Sequence, residues 1–142
     1  MPTIRQVLTH KGSEVVAVAP DVTVFDAIKR MADLNIGSLL VLDEGRLVGI
    51  FTERHYARNV ILKGRSSPLT PIAEVMDRSV VCTHPDHQVE EAMAVMSANR
   101  VRHLPVMAAG KLIGLVSIGD LVGSIIRDRE FVIEQLEHYI HS

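Results

Sequence analysis

The sequence has little cysteine, few aromatic residues and almost no excess of charge. Its single cysteine, Cys82, excludes a disulfide within the chain and suits a reducing compartment. Tryptophan is absent and aromatic residues make up 4% of the chain, so the core must be built from aliphatic residues and methionine. The formal net charge of −2 argues against a large nucleic-acid interface, which usually appears as a strongly basic surface.

Long apolar runs are also missing. No segment approaches the roughly 20 apolar residues that a membrane-spanning helix needs. The N-terminal sequence MPTIRQVLTHKG lacks the apolar stretch of a secretory signal. We therefore expect a soluble cytoplasmic protein with no membrane contact.

What the sequence does contain is an internal repeat. A shift of 65 residues places residues 15–55 on residues 80–120 without a gap, with more identities than chance explains. The identical pairs are Val15/Val80, Val16/Val81, Pro20/Pro85, Asp21/Asp86, Val24/Val89, Ala27/Ala92, Met31/Met96, Leu39/Leu104, Val41/Val106, Gly45/Gly110, Leu47/Leu112 and Gly49/Gly114.

Each copy has the pattern strand, helix, strand, strand, helix. In the first copy the strand EVVAV ends at Pro20, and Thr23 with Asp26 predicts a capped start for the helix VFDAIKRMADL. Glu44-Gly45 predicts a hairpin between SLLVLD and RLVGIF, and Thr52 caps a further helix. The second copy reads SVVCT, VEEAMAVMSAN, HLPVM, KLIGLV and a helix after Ser117.

The pattern predicts an α+β fold in which two β-α-β-β-α repeats pack with pseudo-twofold symmetry. A unit of about 60 residues leaves one sheet face poorly covered, so we expect the copies to pack sheet against sheet as one domain. The predicted boundaries are 8–64 for the first repeat and 73–130 for the second, within a single pair that spans 1–142.

Two further segments carry local predictions. In the connector between the repeats, Thr70 and Pro71 predict a capped short helix, PIAEVM. Residues 131–142 predict an amphipathic C-terminal helix with an apolar stripe. The stripe is formed by Val132, Leu136 and Tyr139 or Ile140, and either packs on the chain's own N-terminal segment or contacts a second copy.

The repeat and several of its motifs resemble the CBS domain. These motifs are Pro-Asp before the helix, the strand LPVM, and the hairpin KLIGLVS followed by IGDL. Two copies in tandem resemble the CBS pair, or Bateman module, over essentially the whole chain. The segments FTER followed by ILKGRSS, and RVRHLPV followed by GLVSIGDLV, are similar to small stand-alone CBS-pair proteins.

The resemblance implies a non-enzymatic regulatory module. Such a module binds an adenosine-containing nucleotide (AMP, ATP or NAD(H)) in the cleft between the repeats, and commonly forms homodimers. The competing hypothesis is a protein-interaction module whose nucleotide sites are vestigial. In either case a regulated protein partner is possible, and its identity does not follow from the sequence.

Ser117 and Asp120 are the strongest candidates for contact with a nucleotide. At a helix N-cap, the Ser117 hydroxyl and the free backbone N–H groups suit an anion such as phosphate. Asp120 lies one turn later, and a carboxylate can accept two hydrogen bonds from the cis-diol of a ribose. The alternative is that both residues only cap the helix and complement its dipole. The resemblance implies that they touch phosphate and ribose.

The first copy departs from this pattern. Thr52 keeps the hydroxyl, but His55 stands where the family has aspartate. A neutral imidazole offers one acceptor, so ribose binding should weaken there and the two sites should be unequal. A protonated His55 could instead meet a phosphate. Arg54 adds positive charge near a site or is simply solvated.

The remaining candidates come from the resemblance. Arg102 and His103 are expected to reach a phosphate, although a surface arginine at a strand edge is the alternative. The equivalent residues of the first copy are Gly37 and Ser38, and Ser38 is included in the predicted nucleotide site. Thr83, Pro105 and Val106 are expected to line an adenine pocket, or to be ordinary strand core.

Other chemistry finds little support in the sequence. Cys82, His84 and His87 lie close together, but Pro85 interrupts them and no fourth ligand has zinc-site spacing, so no metal is predicted. There is no nucleophile elbow, metalloprotease motif or Walker loop. We therefore predict no catalytic residues and no catalytic cofactor.

Overall fold

The computed structural model describes Met1–His141. Ser142, the last residue of the predicted C-terminal helix, lies outside the described residues. The chain divides into two compact units. The first-repeat unit is Val15–Val80, and the second-repeat unit joins Met1–Glu14 to residues 81–141 of the described chain. Compared with the predicted boundaries, residues 8–14 belong with the second repeat rather than the first.

The elements largely follow the predicted order. In chain order they are α1 (Ile4–Lys11), β1 (Ala17–Val18), α2 (Val24–Leu34), β2 (Ser38–Asp43), β3 (Arg46–Thr52), α3 (Glu53–Tyr56) continued by a π-helical turn (Ala57–Ile61), a 3₁₀ turn (Ile72–Glu74), α4 (Val89–Asn99), β4 (His103–Ala108), β5 (Lys111–Ser117) and α5 (Ile118–His141). The mixed α+β class with two repeats is confirmed.

The first-repeat unit contains a three-stranded sheet in the order β1-β2-β3. Strand β1 runs parallel to β2, and β2 pairs antiparallel with β3. Glu44 and Gly45 both have positive φ, 49° and 81°, as a type I′ hairpin turn requires, so the predicted hairpin is confirmed. The Thr23 hydroxyl accepts a 3.2 Å hydrogen bond from the Asp26 N–H, which confirms the capped start of α2.

The second-repeat unit contains only the two-stranded hairpin β4-β5. The predicted strand SVVCT does not form, and Thr83 makes a single parallel bridge to Val106 instead. Pro105 explains the difference. In the first repeat the equivalent residue, Leu40, donates its N–H to the Val16 carbonyl at 3.1 Å. Proline has no N–H, so this ladder bond cannot be made and the strand is cut short.

A short segment completes each unit from a distant part of the chain. In the second-repeat unit, Ile4 N–H donates to the His87 carbonyl at 2.9 Å. In the first-repeat unit, Ile72 N–H donates to the Val22 carbonyl at 2.8 Å. Val22 and His87 are equivalent under the 65-residue shift, so α1 and the 3₁₀ turn play matching roles.

The matching segments explain two repeated glycines. A Cβ atom added to Gly114 would lie 2.7 Å from the Leu8 side chain, and one added to Gly49 would lie even closer to the Met76 sulfur. Both distances are shorter than packed atoms allow. Glycine is therefore needed at each position so that the covering side chain can lie directly on the strand.

The connector prediction is wrong in one detail. Thr70 does not cap a helix, because its hydroxyl donates to the Ser66 carbonyl at 2.7 Å. The residues after Pro71 form a 3₁₀ turn rather than an α-helix.

Helix α5 joins the two C-terminal predictions into one element of 24 residues. Val132, Leu136 and Ile140 are 48%, 56% and 74% exposed, and Tyr139 is exposed as well. The expectation that this stripe packs on the N-terminal segment is therefore wrong. Contact with a second copy remains a prediction. Within Met1–His141, no helix combines the length and apolar character needed to cross a membrane.

Candidate functional site

The junction of β5 and α5 holds the two leading candidates in a reciprocal cap. The Ser117 N–H donates to Asp120 Oδ2 at 2.8 Å, and the Asp120 N–H donates to Ser117 Oγ at 3.1 Å. This is a capping box, in which two helix-terminal donors are satisfied by each other's side chains. The prediction that Ser117 caps the helix is confirmed, and the carboxylate is fixed beside it.

Lys11 from the end of α1 also binds this carboxylate. Its Nζ lies 2.7 Å from Asp120 Oδ2 and 2.7 Å from the Leu115 carbonyl oxygen. The two charged side chains are 29% and 25% exposed. Sequence reasoning missed Lys11, because it lies 109 residues from Asp120 and belongs to no motif.

Asp120 is ionised at neutral pH. Burial raises the pKa of its carboxyl group, but the hydrogen bonds from Lys11 and from the Ser117 backbone lower it further than burial raises it. The net result is a pKa below the ordinary value, so the group presents a carboxylate.

His103 lies opposite Ser117 in the β4-β5 ladder, at the same end of the hairpin. Burial lowers the pKa of its imidazole below the ordinary value; Asp120 acts in the opposite sense, while Lys11 and Arg102 lower the pKa further. His103 is therefore predominantly neutral at pH 7. Its predicted role as a cation for phosphate is weakened, and Arg102, which is exposed, carries the permanent charge.

The predicted adenine residues lie in the same unit. Thr83 N–H donates to the Pro105 carbonyl at 2.9 Å, and the Thr83 carbonyl accepts from Met107 N–H at 2.9 Å. Val106 is fully buried in the hydrophobic core of the unit. Its side chain thus has the strand-core role that the sequence left as an alternative. Thr83 is 3% exposed.

The junction of β3 and α3 repeats the cap with an imidazole. The Thr52 N–H donates to His55 Nδ1 at 3.1 Å, and the His55 N–H donates to Thr52 Oγ1 at 3.3 Å. Because a backbone N–H can only donate, Nδ1 is the acceptor and the ring proton sits on Nε2. Burial lowers the pKa of His55, Asp77 opposes this shift, and Arg54 and Arg58 add to it. A protonated His55 that meets phosphate is therefore disfavoured at neutral pH.

Asp77 occupies the place in the first-repeat unit that Lys11 occupies in the second. The Ile50 carbonyl accepts from Asp77 N–H at 2.9 Å, whereas the equivalent Leu115 carbonyl accepts from Lys11 Nζ. Asp77 Oδ2 then lies 3.9 Å from His55 Nε2. The two junctions share one architecture but differ in charge. Asp120 is paired with the cation Lys11 in one, whereas the neutral His55 imidazole faces the anion Asp77 in the other.

The other first-repeat candidates are placed around this cap. Ser38 pairs with Thr52 across β2 and β3 and is 6% exposed. Arg54 is exposed in the first turn of α3. The structure thus brings Ser38, Thr52 and His55 together in one unit, and places Ser117, Asp120, Arg102 and His103 together in the other.

His84 and His87, near the start of the second repeat, hold a turn together. His87 Nδ1 lies 3.1 Å from the Thr83 hydroxyl and accepts from His84 N–H at 3.3 Å. Burial raises the pKa of the Cys82 thiol. In the part of the chain that the structure describes, no group of three or more histidine, cysteine or acidic side chains is arranged to hold a metal ion.

Both repeats of the chain, each with its cap, match one known protein family. The CBS domain family matches the chain at residues 4–61 and again at 72–127. The chain belongs to the CBS-domain family. The two matches cover both repeats, so it contains a CBS pair.

Three similar proteins match this chain over most of their own length. The mitochondrial CBS domain-containing protein CBSX3 of Arabidopsis thaliana is 37% identical over 97% of this chain and 71% of its own. A putative signal-transduction protein with CBS domains from Burkholderia ambifaria is 48% identical, with a TM-score of 0.86 over 89% of this chain and 96% of its own. The CBS pair of protein MJ0100, solved with 5′-methylthioadenosine and S-adenosyl-L-methionine, is 23% identical, with a TM-score of 0.76 over 87% of this chain and 99% of its own.

Proposed function

We propose that this CBS pair is a non-enzymatic regulatory module that binds an adenosine-containing nucleotide through Asp120. The observation that supports this proposal is the hydrogen-bonding pattern of the Asp120 carboxylate. Its bonds to Lys11 and Ser117 both go to Oδ2, which leaves Oδ1 available to a ligand hydroxyl. Asp120 is ionised and half-buried, and such a carboxylate is a strong acceptor for a ribose diol.

Family membership supports the class of ligand. The MJ0100 pair shares the fold, and the ligands in its crystal structure are both adenosine derivatives. AMP, ATP and NAD(H) contain the same adenosine unit with a phosphate added. We propose that Arg102, exposed beside this site, and the Ser117 cap contribute to phosphate binding.

A calorimetric titration with AMP, ATP, NAD⁺ and NADH tests this proposal. At least one ligand should bind the wild-type protein saturably, and Asp120→Asn should weaken it about tenfold or more, as expected for loss of a charge-assisted hydrogen bond. Asp33→Asn is the control, because Asp33 is exposed on α2. No saturable binding by the wild-type protein, or equal binding by Asp120→Asn, would refute the assignment.

The alternative function is a protein-interaction module whose nucleotide sites are vestigial. His55 favours it for the first repeat, because Nδ1 is already bonded to Thr52 and Nε2 faces Asp77. A ribose would find no carboxylate at the position of α3 that corresponds to Asp120. Under this alternative the titration shows no nucleotide binding, and a protein partner is recovered by pull-down.

We also propose that α5 contacts a second copy of the chain. Exposed isoleucines recur every seven residues at 126, 133 and 140, with Val122 four residues before the first and Leu136 between the last two. This 3.5-residue spacing is typical of a helix that packs along another helix, with isoleucine at one core position and leucine at the other.

We also propose that the protein is located in the cytoplasm.

A further inference from the structure

We propose that Lys11 determines which nucleotides the Asp120 site accepts, by selecting ligands that carry a phosphate over uncharged nucleosides. This inference rests on the proposed function, since it concerns the same carboxylate. It assigns Lys11 two states. In the free protein Lys11 holds Asp120, and in the bound protein it neutralises the ligand's phosphate.

The first step is that a ribose and Lys11 compete for the carboxylate. In the bidentate arrangement that we propose, a cis-diol places one hydroxyl on each of the two carboxylate oxygens. Asp120 Oδ2 already accepts from Lys11 at 2.7 Å and from Ser117 at 2.8 Å. The Ser117 bond belongs to the helix cap and is retained, so Lys11 is the donor that gives way to a ribose hydroxyl.

The second step concerns the charge that this exchange leaves behind. Lys11 has no carboxylate partner in the described residues other than Asp120, and its side chain is 29% exposed. Once displaced, its ammonium is only partly solvated, and it keeps the Leu115 carbonyl as a neutral acceptor. A partly buried cation without a counter-charge is unfavourable. Binding of an uncharged nucleoside therefore carries the full cost of breaking the ion pair.

The third step is that a phosphate removes this cost. The neighbouring groups that could carry positive charge are Arg102 and His103, and burial keeps the His103 imidazole neutral. A phosphorylated ligand supplies the anion that Lys11 loses, and the flexible four-carbon side chain lets the ammonium follow it. The ion pair thus turns the presence of a phosphate into a difference in affinity.

The first-repeat unit lacks this device. The residue at the matching carbonyl is Asp77, which carries the opposite charge and faces His55. Selection of phosphorylated ligands by a lysine is therefore a property of the Asp120 site alone among the two junctions that the structure describes.

The test compares the dissociation constants of AMP and adenosine for wild-type protein, Lys11→Met and Lys11→Arg. We expect wild-type protein to bind AMP about tenfold or more tightly than adenosine, as one compensated ion pair allows. In Lys11→Met the adenosine affinity should rise severalfold and the AMP affinity should fall, so that the preference drops about tenfold. Lys11→Arg keeps the charge and should retain the preference, and Lys29→Met on the exposed face of α2 is the control.

The outcomes separate this inference from the proposed function. If wild-type protein and Lys11→Met share the same AMP preference, the role of Lys11 is refuted while nucleotide binding stands. If wild-type protein binds neither ligand, the inference fails, and the proposed function fails with it only if ATP, NAD⁺ and NADH do not bind either. Should Lys11→Met fold poorly by circular dichroism, Lys11→Gln replaces it, with the same expected loss of preference and the same refuting result.

Discussion

His55 and Asp120 occupy equivalent positions in the two repeats, and each accepts a hydrogen bond from the backbone N–H of the hydroxyl residue three positions earlier. The distances are 3.1 Å to Thr52 and 2.8 Å to Ser117. One cap is completed by a titratable ring and the other by a carboxylate. We therefore expect the two junctions to respond differently to pH and to ligands.

The His55 cap predicts a dependence of stability on pH. Protonation at Nδ1 removes the acceptor for Thr52, and the pKa of His55 is below its ordinary value of 6.5, chiefly through burial. The unfolded state then binds more protons between these two pKa values, so the free energy of unfolding should fall as pH decreases through 6.5. Urea unfolding between pH 7.5 and pH 5 measures this.

The matched variant for this prediction is His55→Asn. An asparagine oxygen can accept the Thr52 hydrogen bond but does not titrate. Its unfolding free energy should therefore depend less steeply on pH than that of the wild-type protein. His103 contributes a slope of the same sign, because burial also lowers its pKa. Identical slopes in the two proteins would contradict the assignment to His55.

The contact of Gly114 with Leu8 predicts an effect of overpacking. In Gly114→Ala the new methyl group would lie 2.7 Å from Leu8, which is 5% exposed and has little room to move. We expect a loss of about 1–3 kcal/mol in the free energy of unfolding. Chemical denaturation measures it.

A second substitution separates this contact from a general effect of alanine. Leu8→Ala should lower the free energy of unfolding less in the Gly114→Ala protein than in the wild-type protein, because the shortened side chain relieves the clash. The expected coupling energy between the two substitutions is about 1 kcal/mol. Gly119→Ala is the control, since its new Cβ would meet only the Ser117 hydroxyl, at 3.7 Å. Strict additivity would show that Leu8 is not the residue that excludes a side chain at 114.

The exposed isoleucines of α5 predict a dimer. Sedimentation equilibrium should give twice the chain mass for the wild-type protein and a single chain for Ile133→Glu, because a buried unpaired charge is strongly unfavourable. Gln135→Glu adds the same charge off the apolar stripe and should leave the dimer intact. A monomeric wild-type protein, or dissociation by Gln135→Glu alone, would contradict the proposed contact.

The repeat and its turn and cap signals predict most of the fold, because each of these signals is local. Glu44-Gly45 and Thr23 behave as their neighbouring residues indicate. The missing first strand of the second repeat is also local in cause, since Pro105 lacks the N–H that Leu40 donates. Its effect falls on a segment more than 20 residues earlier, which a pattern within that segment does not reveal.

The candidate site was predicted only in part for a related reason. Ser117 and Asp120 are three residues apart, so helix geometry alone links them. Lys11 reaches Asp120 only because α1 packs on the second-repeat unit, and nothing in the sequence of α1 predicts that position. The same applies to Asp77, whose contact with His55 depends on the segment that follows the 3₁₀ turn.

The central claim is that Asp120 binds ribose hydroxyls. It is tested most directly by a thermodynamic cycle in which the Asp120 carboxylate is changed in the protein and a ribose hydroxyl is removed from the ligand. The four dissociation constants are those of AMP and 2′-deoxy-AMP for wild-type protein and for Asp120→Asn. Wild-type protein should bind 2′-deoxy-AMP about tenfold more weakly than AMP, and the variant should distinguish the two ligands much less. Equal discrimination by both proteins would show that Asp120 does not contact the ribose.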